Sequence, residues 1–192
     1  MWFTVGLRYN WVGGMAGEIF SGCIVTDCFS SCTVSGNQSV GGIAGAVFDT
    51  GRLLNCYATG TVSANLYGVG GVAGYVHPDN SNIVNCVALN TSISAKEQAR
   101  GTETGIGRVV GNSAKNLSSN YATDLIKDRN NQTDLWTYNT HNSRDGANIS
   151  AVNYLTASFW KTKRNWNAVG WDENVWKIVE GKLPALQIFT SI

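Results

Sequence analysis

The chain has 192 residues, 14% of them charged and 43% hydrophobic, with a formal net charge of +1 and 22 glycines. So few charges, in a chain rich in Gly, Asn, Ser and Thr, favour strands and turns over long helices. The near-neutral balance argues against a nucleic-acid partner, which needs a clustered basic surface, and no apolar run reaches the about 18 residues of a membrane span.

The opening Met1-Trp2-Phe3-Thr4-Val5 has no basic n-region, apolar h-region or small-residue cleavage site, so no signal peptide is expected there. An intracellular chain or a piece of a longer exported protein would both fit. The abrupt start beside a repeat favours the second.

The repeat begins at Val12-Gly13-Gly14-Met15-Ala16-Gly17 and returns as Val40-Gly41-Gly42-Ile43-Ala44-Gly45 and Val69-Gly70-Gly71-Val72-Ala73-Gly74, spacings of 28 and 29 residues. That period signals a stacked repeat rather than a single globular core. Each copy holds three apolar segments, read as three strands. In the first, alternation turns Met15, Gly17 and Ile19 inward, with Glu18, Ala46 and Tyr75 on the variable outer side.

The second segment is Thr26-Asp27-Cys28-Phe29-Ser30, Leu54-Asn55-Cys56-Tyr57-Ala58 and Val84-Asn85-Cys86-Val87-Ala88, with Leu54, Cys56 and Ala58 expected inside and Asn55, Tyr57 and Thr59 outside. In the third, Val34, Val62 and Ile93 point inward between hydroxyl residues. Cys28, Cys56 and Cys86 follow their opening valines by 16, 16 and 17 residues and form one inward ladder with Val34, Val62 and Ile93. Three stacked thiols cannot pair evenly, so free, buried thiols are expected, and the spacing of Cys23, Cys28 and Cys32 suits no metal site.

Polar corners such as Ser35-Gly36-Asn37 join the strands. The period is too short for a propeller blade, and no leucine-rich signature occurs. The expected fold is an all-β, right-handed parallel β-helix, a β-solenoid of about four coils starting near 12, 40, 69 and 106. The fourth copy, Ile106-Gly107-Arg108-Val109-Val110-Gly111, is delayed by an insertion placed at 95–104, a loop that could bind or simply be solvated. Residues 1–125 are assigned to the coils. Residues 126–192, with Trp136, Trp160, Trp166, Trp171 and Trp176, form a C-terminal cap, aromatic enough to seal an open solenoid end.

Gly41-Gly42-Ile43-Ala44-Gly45 and Asn55-Cys56-Tyr57-Ala58-Thr59-Gly60-Thr61-Val62 resemble the GLUG-motif repeats of bacterial surface and secreted proteins, with Cys in the usual Ser slot. The ending Gly170-Trp171-Asp172-Glu173-Asn174-Val175-Trp176 with Leu183-Pro184-Ala185-Leu186 looks like the segment that often closes such arrays. The resemblance implies an exported, adhesin-like structural module at the cell surface, attached to neighbouring domains of the same polypeptide. It also allows an accessory region beside a secreted immunoglobulin A peptidase domain. It carries over no catalytic residue.

The residues themselves assemble no reaction centre. Asp27 aligns with Asn55 and Asn85, Glu18 with Ala46 and Tyr75, and His77 and His141 lie in unrelated contexts. The expectation is a non-catalytic module with no cofactor and no metal, whose partner is a host or cell-surface glycan or protein. The alternative is a carbohydrate-binding or glycan-processing β-helix in which Phe29, Tyr57 and Tyr75 stack on sugar rings.

Overall fold

The computed structural model describes residues 11–78, 80–96, 105–112, 115–128, 136–167 and 170–189. Its strands are short, parallel and stacked coil upon coil as a β-solenoid of about four turns. Each full coil contributes to five sheets rather than three. Going round the second coil, the strands are Val40–Gly41, Ala44–Val47, Arg52–Leu54, Tyr57–Ala58 and Val62–Ala64. Each pairs in register with its counterparts before and after, as in Val12↔Val40↔Val69↔Ile106.

The two extra corners have distinct causes. The Gly-Gly block bends between its own halves. In the second segment, Asp27, Asn55, Asn85 and Ser119 all adopt left-handed backbone, φ 49 to 56°, a conformation that Asn and Asp tolerate best among non-glycine residues. That kink resets the strand alternation. Leu53 and Ile83 are therefore fully buried, and Leu54, expected inside, stands half-buried on the outer face. Past the kink, Cys56 and Ala58 return to the interior at 0% exposure.

The interior is a continuous stack of Val34, Val40, Ile43, Val47, Leu53, Val62 and their counterparts. Met15, expected inside, is 53% exposed in the first coil, with no described coil stacked before it. The column of thiols runs through the same corner: Cys28 is half-buried, Cys56 and Cys86 are fully buried, and all five cysteines carry free thiols. The thiols also act as donors. Cys28, Cys56 and Cys86 bond the carbonyls of Thr26, Leu54 and Val84 at 3.1, 3.0 and 3.4 Å. In the fourth coil Asn120 takes the cysteine position and bonds the backbone of the coil beneath, accepting from Cys86 N at 2.9 Å and donating to Ile83 O at 2.8 Å.

Winding continues past residue 126. Ser92 bridges Lys127, Trp136 packs into the solenoid interior with its indole N–H on Ile126 O, and Arg144 O receives Val109 N and Val110 N at 2.9 Å. Ala147–Ile149 then adds a fifth strand to the sheet containing Tyr121–Thr123. The boundary placed at 126 thus cuts the last rung of the fourth coil, and a partial fifth coil follows it, one without a glycine pair to announce it. The insertion expected at 95–104 begins in a strand, Ile93–Ala95; residues 97–104 lie outside the described residues.

The cap comprises two short helices, Ala151–Tyr154 and Ala157–Lys161, and an antiparallel pair, Trp176–Lys177 with Ala185–Leu186. It lies along the side of the solenoid. Trp160, Trp166, Trp171 and Trp176 gather Phe159, Ile149, Tyr57 and Val87 into a second core over the five-stranded sheet, with Phe29 and Tyr121 packed against it. Its polar ties run from one end to the other. Trp176 Nε1 donates to Asp27 Oδ1 in the first coil at 2.9 Å, Tyr57 Oη in the second donates to Pro184 O at 2.7 Å, and Ser119 Oγ in the fourth accepts from Asn167 N at 3.1 Å. Only Trp136, of the five tryptophans expected to seal an end, enters the solenoid interior.

Burial under this cap pushes the Tyr57 phenol up to about 12, from an ordinary value near 10. An acid whose folded-state value is raised adds stability that is complete below its unfolded value and disappears as pH rises through the folded one. The chain should therefore lose about 2 to 3 kcal/mol between pH 10 and pH 12 from this group. Denaturant midpoints measured across that window should fall more steeply for the natural chain than for Tyr57→Phe.

Candidate functional site

Four outer surfaces could carry function, and the sequence-derived candidates fall unevenly among them. The face over the five-stranded sheet is occupied. Tyr57 is 4% exposed, stacked 5.2 Å from Phe29 with the rings 9° apart, and both contact Trp176. Tyr57, expected outside as a sugar platform, is instead an anchor of the cap, and half-buried Phe29 belongs to the same aromatic stack. The alternation placed them on the outer side of the strand; what covers that side is supplied by residues more than a hundred positions later.

Tyr75 has different company. It is half-buried, 5.3 Å from Phe48, which in turn lies 5.1 Å from Trp11 and 6.0 Å from His77. These rings form a run across successive coils, with Trp11 39% exposed. Phe48 and Trp11 were not singled out from the sequence because they stand outside the repeated segments.

The third surface is a groove of about 440 Å³ on the outer face of the sheet formed by Ile24–Thr26, Arg52–Leu54, Asn82–Val84 and Leu117–Ser118. Register builds it in rows. Arg52 stands beside Asn82, Leu54 beside Val84, and Val84 beside Ser118. Bordering them is the left-handed corner, where Asn85 Nδ2 donates to Asn55 Oδ1 at 3.0 Å and Asn55 Nδ2 to Asp27 Oδ1 at 3.4 Å. This amide ladder ends on Asn85 Oδ1, which is buried and finds no hydrogen-bond donor among the described residues. Arg52 and Lys115 are exposed at the groove; no carboxylate is among its described lining residues, and Asp27 at the end of the bordering ladder accepts from Asn55 and Trp176.

The fourth is a cleft of about 320 Å³ between the cap and the last coils, bordered by Tyr121, Asn148, Ser158 and Arg164.

The buried polar groups serve architecture. Arg108, 1% exposed, takes the place that Gly42 and Gly71 hold in earlier coils. Its guanidinium donates to Asn148 Oδ1, Asn139 Oδ1, Gly146 O and Thr123 O at 2.6 to 3.2 Å, tying the fourth coil to the fifth. Burial lowers the Arg108 pKa, while the nearby Asp145 and Asp124 work the other way. Asp145, also buried, is raised chiefly by desolvation and accepts from Arg108 N at 3.1 Å and Tyr138 N at 2.9 Å. Arg108→Ala should cost about 2 to 4 kcal/mol in urea unfolding, because it strands several buried acceptors at once.

Two thiols of the column, Cys28 and Cys56, are held in their neutral form. The hydrogen bond with Cys56, then burial, raises Cys28; Cys56 is drawn down by its bond with Cys28 but raised on balance by Cys86 and burial. A protonated thiol is a poor nucleophile and a poor metal ligand. Among the described residues, no three His, Cys, Asp or Glu side chains are placed to hold one metal ion.

Residues 36–63, from the end of the first coil's last strand through the second coil's glycine block and into its fifth strand, match the family model of the GLUG motif. No curated protein and no solved structure matches the chain. The chain therefore carries a GLUG repeat, and in-register pairing extends the same unit to the coils starting at 12, 69 and 106.

Proposed function

We propose that this chain is a non-catalytic structural and adhesive module of a bacterial surface or secreted protein, acting beside other domains of the same polypeptide. The observation that carries the reading is the lateral cap. Bonds from Asp27, Tyr57 and Ser119 in three different coils converge on it, so the stacked coils are braced lengthwise as well as rung to rung. A rod braced in this way suits a spacer that presents its outer faces. The alternative of an accessory region beside a secreted peptidase uses the same rigidity.

The test is turnover. The purified chain, incubated with neutral and acidic polysaccharides and with peptides, should release no new reducing ends, unsaturated sugars or peptide fragments. Release that disappears on a single substitution in this chain would overturn the reading. A second reading, stacking of neutral sugar rings, is favoured by the run of Trp11, Phe48 and Tyr75. Tyr75→Ala should then abolish retention on immobilised neutral glycans, whereas Tyr57→Ala should lower stability.

A further inference from the structure

We infer that the groove beside the asparagine ladder binds an acidic glycan strand laid along the solenoid axis. The inference rests on the non-catalytic reading above and gives its adhesive face a chemistry.

Three features of the groove point to this ligand. Its floor is a half-buried apolar strip, Leu54 beside Val84, flanked on both sides by amides. A pyranose has the matching surface: apolar C–H faces with hydroxyls around its rim that both donate and accept, as an amide does. Second, the polar row repeats with the coil. Arg52, Asn82 and Asn116 occupy equivalent positions on three successive rungs, since Leu117 pairs with Ile83 and Ile83 with Leu53. At about 4.8 Å per rung the row is roughly 10 Å long, enough for a short run of sugars in a repeating polymer.

The third feature is charge. Arg52 stands at one end of the row and Lys115 at the other, beside Asn116, with no carboxylate among the described lining residues. In a chain of net charge +1 that local excess selects an anionic strand. A guanidinium can hold a carboxylate through two parallel bonds, and the ammonium supplies a second point of attachment. Two cations are too few for a nucleic-acid footprint, and the groove offers no aromatic ring for a base.

The experiment is titration of the full chain with a polygalacturonate oligomer, with its methyl ester as the neutral counterpart, by calorimetry at low and moderate salt. The acid form should bind, and the ester at least tenfold more weakly. R52Q/K115Q should weaken acid binding tenfold or more and leave the unfolding midpoint unchanged, since both side chains are exposed, and N82L should weaken binding too. Y75A, on another face, should leave acid binding unchanged. Equal binding of acid and ester, full binding by R52Q/K115Q, or no binding of the acid form would each overturn the proposal. Cleavage of the oligomer would instead overturn the non-catalytic reading, so the two failures are distinguishable.

Discussion

Replacing Gly42 by alanine should cost at least about 3 kcal/mol, as large as the loss of a buried aromatic side chain, although it adds a single methyl group. A Cβ at Gly42 would run into the carbonyl oxygen of Gly71 in the next coil and lie 2.7 Å from Ala58 Cβ. At Gly71 it would meet Arg108 O and Asn90 Oδ1 in the same way. The obstruction is backbone, so no rotamer relieves it; the coils must separate. The last member of the column is the internal control. Arg108 carries a full side chain at this position: its backbone N–H meets the Asp145 carboxylate where Gly71 N meets a carbonyl of the next coil, and acceptors of the fourth and fifth coils fill its guanidinium. Urea midpoints for Gly42→Ala and Gly71→Ala should drop sharply without a change in the natural chain's spectrum at low denaturant. A cost near that of an exposed substitution would mean that the coils do not stack at this spacing.

The second large effect is expected at Trp176. Its ring is fully buried, 4.7 Å from Trp171 and 5.9 Å from Tyr57, and its N–H satisfies Asp27 in the first coil. Trp176→Ala should cost about 3 to 5 kcal/mol, combining lost burial with a cavity and the loss of the bond to Asp27. Trp176→Phe should recover most of the packing and none of the hydrogen bond. The cost of Trp176→Phe relative to the natural chain, measured by equilibrium unfolding, should fall when Asp27 is also replaced by Asn, because position 27 then no longer presents a charged acceptor to the indole N–H.

The repeat was legible because it is written in glycine spacing, and spacing survives stacking. Val34, Val62 and Ile93 follow the alternation of their strand and are buried in register. Alternation failed where a left-handed residue intervened. Leu54 sits outside because Asn55 turns the chain, and no periodicity across that residue carries the phase. The partial fifth coil was hidden for a related reason: its side-chain ties to the fourth run through Arg108, a charged residue whose burial depends on what stacks beside it. Tyr57 shows the limit for the candidate site. Its outward direction can be read from the strand, whereas the cover over it comes from residues 150–189 and is decided by tertiary packing. The groove escaped notice because its residues are ordinary one by one, and only register sets Arg52, Asn82 and Asn116 in a row.

The central claim is that coils and cap form one braced rod, and the most direct test is equilibrium unfolding followed with two probes in the same samples. Tryptophan fluorescence reports mainly on the cap, where Trp160, Trp166, Trp171 and Trp176 lie, and far-ultraviolet circular dichroism reports on the stacked strands. Cap contacts reach the first, second and fourth coils, so the two transitions should coincide at one midpoint with one slope. A tryptophan transition completed well below the loss of strand signal would contradict the account, leaving a solenoid that stands without its brace.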